Sequence, residues 1–480
     1  MLLQNTGGMT APPVPLRSAQ GRGVLAATIL GSGMTFLDST IVNIATDRIG
    51  RQFHASFGAL QWVINGYTLP LAALILLGGS LGDRLGRRRI FTLGVTWFAL
   101  ASLACALAPG VGWLITARAV QGIGAALMMP GSLAILSAVF SPDDEAPAVG
   151  TWSGLSGVAS AAGPLLGGWL VQDYSWRWAF AINLPLALIV LALSRRYIPE
   201  TRAASAPARM DTAGIVLVAA GLAALTYATI RAGDDGWSTG TSALALSGLL
   251  LLGVFVTLER HRPHALMPVR LFADRTFAGT NTMTLLTYGA LGVFFFLLVL
   301  DLQVVGRYGP FAAGLANLPL TILLLAFSRT SGQLATRIGP RIPLVAGPLL
   351  AAAGLALTLR IDTTHRDYWL DVLPAVTVFA LGMVLIVAPL TATVMAAAPA
   401  DDVGIASGIN NAVARAGGLL AVAAIPALAG LQGGAYTDAT AMTQGYRVAV
   451  LWCVGLLIGS AVVIAATVRT RTLTEPRVRS

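Results

Sequence analysis

Residues Gly78–Ile90, which read GGSLGDRLGRRRI, place a short run of charge between two long apolar stretches. Asp83, Arg84 and Arg87–Arg89 fall together in that run. Only 11% of the 480 residues are charged, 56% are hydrophobic and the mean hydropathy is +0.75, whereas a soluble domain has about 25% charged residues. The segment is therefore predicted to be a tight basic turn between two membrane helices, and its arginines favour the cytoplasmic side.

Apolar runs of this kind recur along the whole chain, each close to the ~20 residues that cross a bilayer as a helix. Fourteen spans are predicted, at 24–45, 60–81, 90–108, 113–137, 148–171, 178–198, 212–230, 242–258, 277–304, 312–328, 343–361, 372–398, 404–430 and 446–468. Most arginines outside them fall in every second turn, the side that also receives both termini. This bias predicts a multi-pass membrane protein with both ends in the cytoplasm.

The second half of the chain repeats the opening segment. Ser331–Ile342 reads SGQLATRIGPRI, and Thr336 replaces the acid of the first copy. An all-α fold of two six-helix halves is therefore expected, with two extra helices between them and a substrate site between the halves. The expected divisions are a cytoplasmic N-terminal tail (1–22), an N-terminal six-helix bundle (23–198), a linker with two extra transmembrane helices (199–275), a C-terminal six-helix bundle (276–468) and a cytoplasmic basic tail (469–480).

Four segments resemble motifs of the major facilitator superfamily. The turn pattern G-x-L-x-D-R-x-G-R-R is joined by LDSTIVNIA (37–45), RAVQGIG (118–124), GVASAAGPLLGG (157–168) with the following WRWAFAINLP (176–185). With fourteen spans, the chain resembles the drug:proton antiporter branch, the QacA/EmrB-like exporters. The resemblance implies a transporter and no enzyme. It would use the proton gradient, without a cofactor, to export hydrophobic, cationic or amphiphilic drugs, biocides or antibiotics across a bacterial inner membrane.

Asp38 and Arg118 are the acid of the first predicted span and the base of the fourth. The rise of about 1.5 Å per residue places both roughly 8–9 Å from the same membrane face. Burial and a neighbouring cation act on a carboxyl in opposite directions, so a change in water access shifts its protonation. The pair is predicted to couple protons to transport. The alternative is a static bridge that ties the two helices together.

The basic turn is also a candidate conformational latch, formed by Asp83, Arg84, Gly86 and Arg88. Charges at helix ends would pair across the two halves in one state and separate in the other, an interaction that the helix dipoles favour. The alternative is that the turn only sets topology. That alternative accounts for the arginines but not for the acid and the glycines.

Small residues mark the fifth span, where Gly157, Gly163, Gly167 and Gly168 recur at three- and four-residue spacing around Pro164. Glycines at this spacing let helix backbones approach closely, and the proline bends the helix. The resemblance associates this antiporter motif with export. Tight packing alone would be equally true of an importer, so the direction of transport depends on the resemblance.

The possible substrate cavity is assigned five residues: Tyr67, Gln121, Met128, Arg415 and Asp301. Arg415 falls near the midplane, where it would serve either a structural hydrogen bond or the substrate. Asp301 ends the ninth span. It is either an exposed interfacial acid or an additional cation or proton site at the cavity mouth.

Other functional classes lack their motifs. The chain has no H-E-x-x-H, no G-x-x-x-x-G-K-[ST] and no G-x-S-x-G, which are the signatures of zinc proteases, ATP-driven pumps and hydrolases. The net charge of +10 is spread over inter-helix turns, so the bilayer and a small substrate are the expected partners, not nucleic acid, and the protein is expected to be a monomer. A metabolite importer of the same fold and an exporter of lipids or natural products remain alternatives.

Overall fold

The computed structural model describes residues 14–203, 211–262, 267–399 and 402–468. Within these ranges fourteen helices are long and apolar enough to cross a membrane, which confirms the predicted number. Numbered in chain order they are α1 Ala19–Phe53, α2 Phe57–Leu85, α3 Arg87–Ala106, α4 Val111–Val139, α5 Pro142–Asp173, α6 Trp178–Tyr197, α7 Thr212–Asp235, α8 Thr239–His261, α9 Arg275–Val304, α10 Pro310–Ile338, α11 Arg341–Arg360, α12 Tyr368–Ala397, α13 Val403–Leu428 and α14 Ala439–Thr467.

Two of these helices are interrupted near one end. The segments are Trp178–Ala181 and Asn183–Tyr197 in α6, and Pro310–Leu315 and Leu318–Ile338 in α10. Pro185 and Pro319 lie just after the two breaks, and proline lacks the N–H that would bond to the preceding turn. Each break falls near the N-terminal end of its helix.

The first helix is longer than predicted, and this corrects one expectation. α1 extends to Phe53 and so contains Asp47 as well as Asp38. Asp47 is paired with Arg51 one turn later, at 2.9 Å. Asp38 is therefore not the only acid of the first helix, although it is the one without a partner on its own helix.

The expectations for the two tails and the linker fall partly outside the described residues, because 1–13, 204–210 and 469–480 are not among them. The described start of the chain packs against the N-terminal half, where the backbone N–H of Leu16 donates to Asp144 at 3.0 Å.

The two halves, α1–α6 and α9–α14, share local backbone features that reflect the sequence repeat. Just beyond α1 and α9 the chain turns in the left-handed region at His54 (φ 48°) and Arg307 (φ 58°). The turns after α2 and α10 use Gly86 (φ 119°) and Gly339 (φ 84°), values that favour glycine. A β-carbon on Gly86 would also collide with Glu200.

The two extra helices have different surroundings. α7 packs against both α2 and α13, one helix from each half. Its Asp234 occupies the space that a side chain at Gly58 would need, and its Gly233 lies against Ala427. α8 packs mainly on α7 and leaves leucines such as Leu249 and Leu250 exposed. α8 therefore presents an apolar outer surface, whereas α7 covers one seam between the halves.

Candidate functional site

A central cavity of about 1200 Å³ separates the two halves. Its inner wall carries Tyr67, Arg118 and Arg415, and it extends to Asp83 and Arg87 at the end of the bundle. We call that end the Arg-rich face; it holds the turn between α2 and α3, the start of α1 and the end of α14. The cavity is thus open towards the Arg-rich face.

The other end of the bundle, the opposite face, is closed by contacts between the halves. Each of four hydrogen bonds there joins a donor in one half to a backbone oxygen in the other. They run from Gln61 Nε2 to Val422 O (2.6 Å), from Phe57 N to Gly433 O (2.7 Å), from Tyr436 Oη to Ala55 O (2.8 Å) and from Gln303 Nε2 to Ile44 O (3.1 Å). The cavity therefore has access to one side only in this state.

The glycines of α5 make close backbone packing possible at this closed end. A β-carbon at Gly163 would overlap Thr40 of α1, and one at Gly167 would lie 2.7 Å from Ile41. Gly168 faces the other half, where a β-carbon would meet the backbone of Phe311 at 2.6 Å. Gly157 lies further along, with Leu325 at an ordinary 3.4 Å. The helix continues through Pro164.

A fully buried polar network occupies the core of the N-terminal half. Arg118 Nη1 lies 2.5 Å from Asp38 Oδ2, and the two residues are 1% and 0% exposed. The other oxygen, Oδ1, accepts from Gln121 Nε2 at 2.8 Å and from Asn183 Nδ2 at 3.1 Å. Four helices, α1, α3, α4 and α6, meet here, because Ser102 Oγ accepts from both Gln121 and Asn183. Asp38 and Arg118, predicted to lie at one depth, are in direct contact.

Arg118 separates Asp38 from the cavity. Its Nε donates to Val63 O at 3.1 Å and its Nη1 also donates to Gln121 Oε1 at 2.7 Å. The guanidinium lies 4.3 Å from the centre of the Tyr67 ring, within the range of a cation–π contact. Arg118 and Tyr67 line the cavity, whereas Asp38 lies behind them. The Asp38 carboxylate thus accepts three hydrogen bonds, from Arg118, Gln121 and Asn183.

Two members of this network were not assigned a role from the sequence. Ser102 lies in an apolar run of α3 and carries no distinguishing signal. Asn183 was included in the segment 176–185 that supports the resemblance, and an amide at the start of an otherwise apolar helix is a signal that could have identified it.

Comparison with known families decides the identity of this fold. The model of the Major Facilitator Superfamily matches residues 28–422. The chain belongs to the major facilitator superfamily. Members are membrane transporters, so the expectation of a transporter in place of an enzyme follows from the family.

Curated relatives of this facilitator include resistance proteins of actinobacteria. It is 35% identical over 410 residues to the "Tetracenomycin C resistance and export protein" of Streptomyces glaucescens, covering 84% of this chain and 75% of the relative. It is 36% identical over 403 residues to the "Multidrug resistance protein Stp" of Mycobacterium tuberculosis, covering 84% and 74%. With the puromycin resistance protein of Streptomyces alboniger the identity is 35% over 465 residues, covering 94% and 91%.

Solved structures share the fold at low sequence identity. A bacterial homologue of the human lysosomal transporter Spinster, described as inward-facing and unoccupied, has a TM-score of 0.65 and 19% identity, covering 95% of this chain and 98% of that one. The POT family transporter PepTSo has a TM-score of 0.68 and 14% identity, covering 95% and 99%. These similarities concern the fold alone.

The predicted cavity residues of this facilitator divide into two groups. Tyr67 and Arg415 lie on the cavity wall, where Arg415 Nη2 is 3.7 Å from Met129 Sδ of the other half. Met128 is fully buried in the core of the N-terminal half, so the prediction selected the wrong one of two adjacent methionines. Gln121 belongs to the Asp38 network and does not line the cavity.

Asp301 lies neither on the cavity wall nor at an exposed interface. It is in the last turn of α9 at the closed opposite face, and it is 0% exposed. Both the exposed-acid reading and the cavity-mouth reading of the sequence are therefore wrong about its position.

In the basic turn at the Arg-rich face, the ion pairs lie within the N-terminal half and the linker after it. Asp83 pairs with Arg87 at 2.8 Å, across the turn itself. Arg88 lies 3.7 Å from Glu200 and donates to the backbone of Ile198 at 3.1 Å. Arg84 lies in the last turn of α2, and Asp83 and Arg87 line the cavity where it reaches this face.

Metal binding has no candidate among the described residues, which contain no group of three or more His, Cys, Asp or Glu side chains placed to hold an ion.

Proposed function

We propose that this facilitator is a proton-driven antiporter that exports hydrophobic small molecules, such as antibiotics and other drugs, across the bacterial plasma membrane by alternating access. The observation that carries the proposal is the buried Asp38–Arg118 pair directly behind the cavity wall. The names of the relatives, which include antibiotic and multidrug resistance proteins, support the direction and the substrate class.

Coupling in this proposal comes from the charge of Asp38. As an anion it holds Arg118 by an ion pair and accepts from Gln121 and Asn183. Once protonated it loses the ion pair, and Arg118 becomes a cation without a counter-ion in a site that excludes water. Isolated buried charges cost several kcal/mol, so Arg118 must move or become hydrated. Because Arg118 lines the cavity, that movement changes the substrate site and the balance between the two conformations.

The orientation follows from the distribution of arginine. We infer that the Arg-rich face is cytoplasmic and that both termini are on that side, because basic turns remain in the cytoplasm. The state described here then opens the cavity to the cytoplasm, the side from which an exporter loads its substrate.

Within the expected range of hydrophobic, cationic or amphiphilic compounds, we infer from the cavity wall a preference for neutral substrates. Its inner part combines aromatic and methionine side chains, including Tyr67, Tyr288 and Met129, with the guanidinium groups of Arg118 and Arg415. The acids that line it, Asp83, Glu145 and Asp211, begin or end helices at the Arg-rich face or cap one there. An apolar wall with a few placed donors suits aromatic compounds that carry oxygen acceptors.

The proposal requires no cofactor, since the proton gradient supplies the energy, and it requires one chain only.

Reconstituted protein gives the decisive test. Proteoliposomes with an imposed pH gradient and no nucleotide are given a fluorescent aromatic substrate, and a pH dye reports proton movement. We expect substrate to move against its own gradient, protons to move in the opposite direction, and a protonophore to abolish both. Co-transport of protons in the same direction would support the importer instead, and transport that needs ATP would refute the proposal.

A further inference from the structure

Asp301 is the most isolated acid of the described chain. It is 0% exposed, and neither carboxylate oxygen has a hydrogen-bond partner among the described residues. Its neighbours along the last turn of α9, Leu300 and Leu302, are also fully buried in the core of the C-terminal half. Burial without a hydrogen-bond partner disfavours the ionised form of a carboxyl group relative to the protonated form.

The nearest charges do not neutralise Asp301. Arg447, on α14, is the charged group that acts on it, and the phenol of Tyr446 precedes Arg447 on the same helix. Tyr446 uses its hydroxyl to donate to Thr358 at 3.0 Å. Arg447 is half-exposed and lies 3.7 Å from Asp362, in the loop after α11. The Thr364 hydroxyl, and after it the N–H groups of His365 and Thr364, hold the pKa of Asp362 well below its usual range, so Asp362 remains an anion and engages Arg447.

In α1, the corresponding helix of the N-terminal half, the buried acid near the helix end has a basic partner. Asp47, in the last two turns of α1, is also buried at the opposite face. It has Arg51 four residues later, with Nε 2.9 Å from each carboxylate oxygen. Four residues after Asp301 the chain has the apolar Val305. The unpaired acid is therefore a particular feature of α9 and not a general feature of these helix ends.

Asp301 lies within the contacts that close the opposite face. Gln303, two residues later, donates across the halves to Ile44 O at 3.1 Å. The backbone oxygen of Asp301 accepts from Val305 at 2.7 Å and from Gly306 at 3.1 Å, which fixes the end of α9. Opening this face separates α9 from α1 and admits water to the helix end. The ionised carboxylate of Asp301 is then hydrated, and its desolvation penalty becomes smaller.

We propose that Asp301 is a proton-binding site that links closure of the opposite face to the pH on that side of the membrane. The face closes with Asp301 neutral and opens with Asp301 ionised, so a proton taken from the opposite side stabilises the state described here. This inference extends the proposed function, because it adds a site separate from the Asp38 network, and the site does not require the proton of Asp301 to cross the membrane.

The expected pH dependence has a definite sign and limit. Raising the pH removes the proton from the open state first, so the open population grows. One linked proton changes the ratio of open to closed molecules by at most about tenfold per pH unit. Other titratable groups at this face include Asp47, Asp362, His54, His365 and Tyr436. Burial, and after it the carboxylate of Asp47, raises the pKa of Tyr436, so its hydroxyl does not titrate near neutral pH.

The experiment measures the separation of the two halves at the opposite face. Leu107, after α3, and Leu370, at the start of α12, are both exposed and lie in different halves. With Cys105→Ala and Cys453→Ala, spin labels at L107C and L370C report the distance by double electron–electron resonance in nanodiscs. Both sides have the same pH, so no transport is needed.

All measurements are made in an Asp38→Asn background, which removes the titration on which the proposed transport function depends. We expect the long-distance population to rise with pH, and to lose this rise when Asp301→Asn is added. The matched control Asp47→Asn should keep it. His54 and His365 are present in every variant, so any pH dependence that they cause is common to all the measurements.

Two further variants keep the test decisive if the amide folds poorly. Asp301→Leu, which is also neutral, should give the same flat response, and Asp301→Glu should restore the rise. An unchanged pH dependence with Asp301→Asn or Asp301→Leu would overturn the inference. Failure of the proposed antiport would appear separately, as absent proton-coupled transport in protein with a native Asp38.

Discussion

The two halves of this facilitator tie their helices together with different chemistry. In the N-terminal half the buried bonds converge on a charged pair, Asp38 and Arg118. In the C-terminal half a polar network between α9 and α13 contains only neutral groups: Asn410 Nδ2 donates to Thr284 Oγ1 at 2.7 Å and to Asn281 Oδ1 at 3.2 Å. Asp38 and Arg118 belong to α1 and α4, and the neutral network belongs to α9 and α13; all four helices contribute residues to the cavity wall.

This difference bears on the alternative that Asp38 and Arg118 form a static bridge. Neutral amides and hydroxyls join α9 to α13 without any ionic group, so helix attachment alone does not require one. Buried ion pairs seldom stabilise a fold more than well-packed neutral groups would. The proposed proton coupling would use a property that amides lack, which is the ability to gain and lose a proton.

Asp38→Asn is the largest test of this comparison. The amide has nearly the shape of the carboxyl but carries no exchangeable proton, so uphill efflux should be abolished. If the protonated state is part of the normal cycle, the protein must tolerate a neutral side chain here and should fold and express normally. Substrate-dependent proton movement in proteoliposomes measures the first expectation, and thermal unfolding measures the second.

The static bridge makes the opposite pair of predictions. Removing one partner of a buried ion pair costs about 3–5 kcal/mol, so the Asn variant would be unstable, while any protein that folded would still transport. Asp47→Asn is the matched control on the same helix, because Asp47 pairs with Arg51 outside the network, and it should leave proton coupling unchanged.

Gly168→Ala should have the next largest effect. The new methyl would meet the Phe311 backbone at 2.6 Å, between the halves at the opposite face. Overpacking of this kind costs about 1–3 kcal/mol, and it acts on the closed state described here. Turnover should fall by about tenfold, since about 1.4 kcal/mol corresponds to that factor.

Gly154→Ala is the control for this substitution, because the added methyl has no heavy atom within 4 Å. Transport rates should remain near those of the native protein. Equal rates for the two variants would mean that the glycines of α5 serve packing in general and not the closure between halves.

Arg415→Gln tests the cavity wall of the C-terminal half. It removes a cation that meets the other half only through Met129. Hydrogen bonds to charged groups contribute about 1.5–3 kcal/mol. The Kd of a neutral aromatic substrate with oxygen acceptors should therefore rise by roughly tenfold, and that of a cationic dye should fall. Arg329→Gln makes the same change of charge on the exposed surface of α10 and should alter neither.

Binding measured on purified protein by fluorescence decides this point without transport. Tighter binding of neutral substrates by the Gln variant would restore the expectation of a cationic substrate, and Arg415 would then have a structural role only.

The fold could be predicted from the sequence because its signals are strong and local. Fourteen apolar runs, separated by short turns with asymmetric arginine, leave little freedom for an all-helical bundle in a membrane. The repeat of Gly86 as Gly339 and of Arg88 as Arg341 also appears in the structure, where Arg341 donates to Ala465 much as Arg88 donates to Ile198.

The candidate site could be predicted only where its residues are unusual for a membrane helix. Asp38 and Arg118 stand out as buried charges. Ser102 does not, because a serine in an apolar helix is common and its role depends on which helix packs beside it. Met128 and Met129 differ by one residue, about 100° around a helix, and the sequence does not reveal which of them faces the cavity. The burial of Asp301 depends on how the other half covers it.

Asp83→Asn should have the smallest effect, and it tests the latch at the Arg-rich face. In the state described here Asp83 pairs with Arg87 across its own turn, and its side chain is partly exposed, so the local pair contributes less than about 1 kcal/mol. A latch between the halves would form only in the other state, when the Arg-rich face closes. The variant should therefore favour the present state and slow turnover by a few-fold, with little change in substrate affinity.

Cysteines at Gly150 in α5 and Gly404 in α13, both of which have open space for a side chain, should become more accessible from the Arg-rich face. Asp143→Asn, an exposed acid in the first turn of α5, is the control and should change neither quantity. Unchanged accessibility together with weaker substrate binding would assign Asp83 to the substrate site and remove the latch.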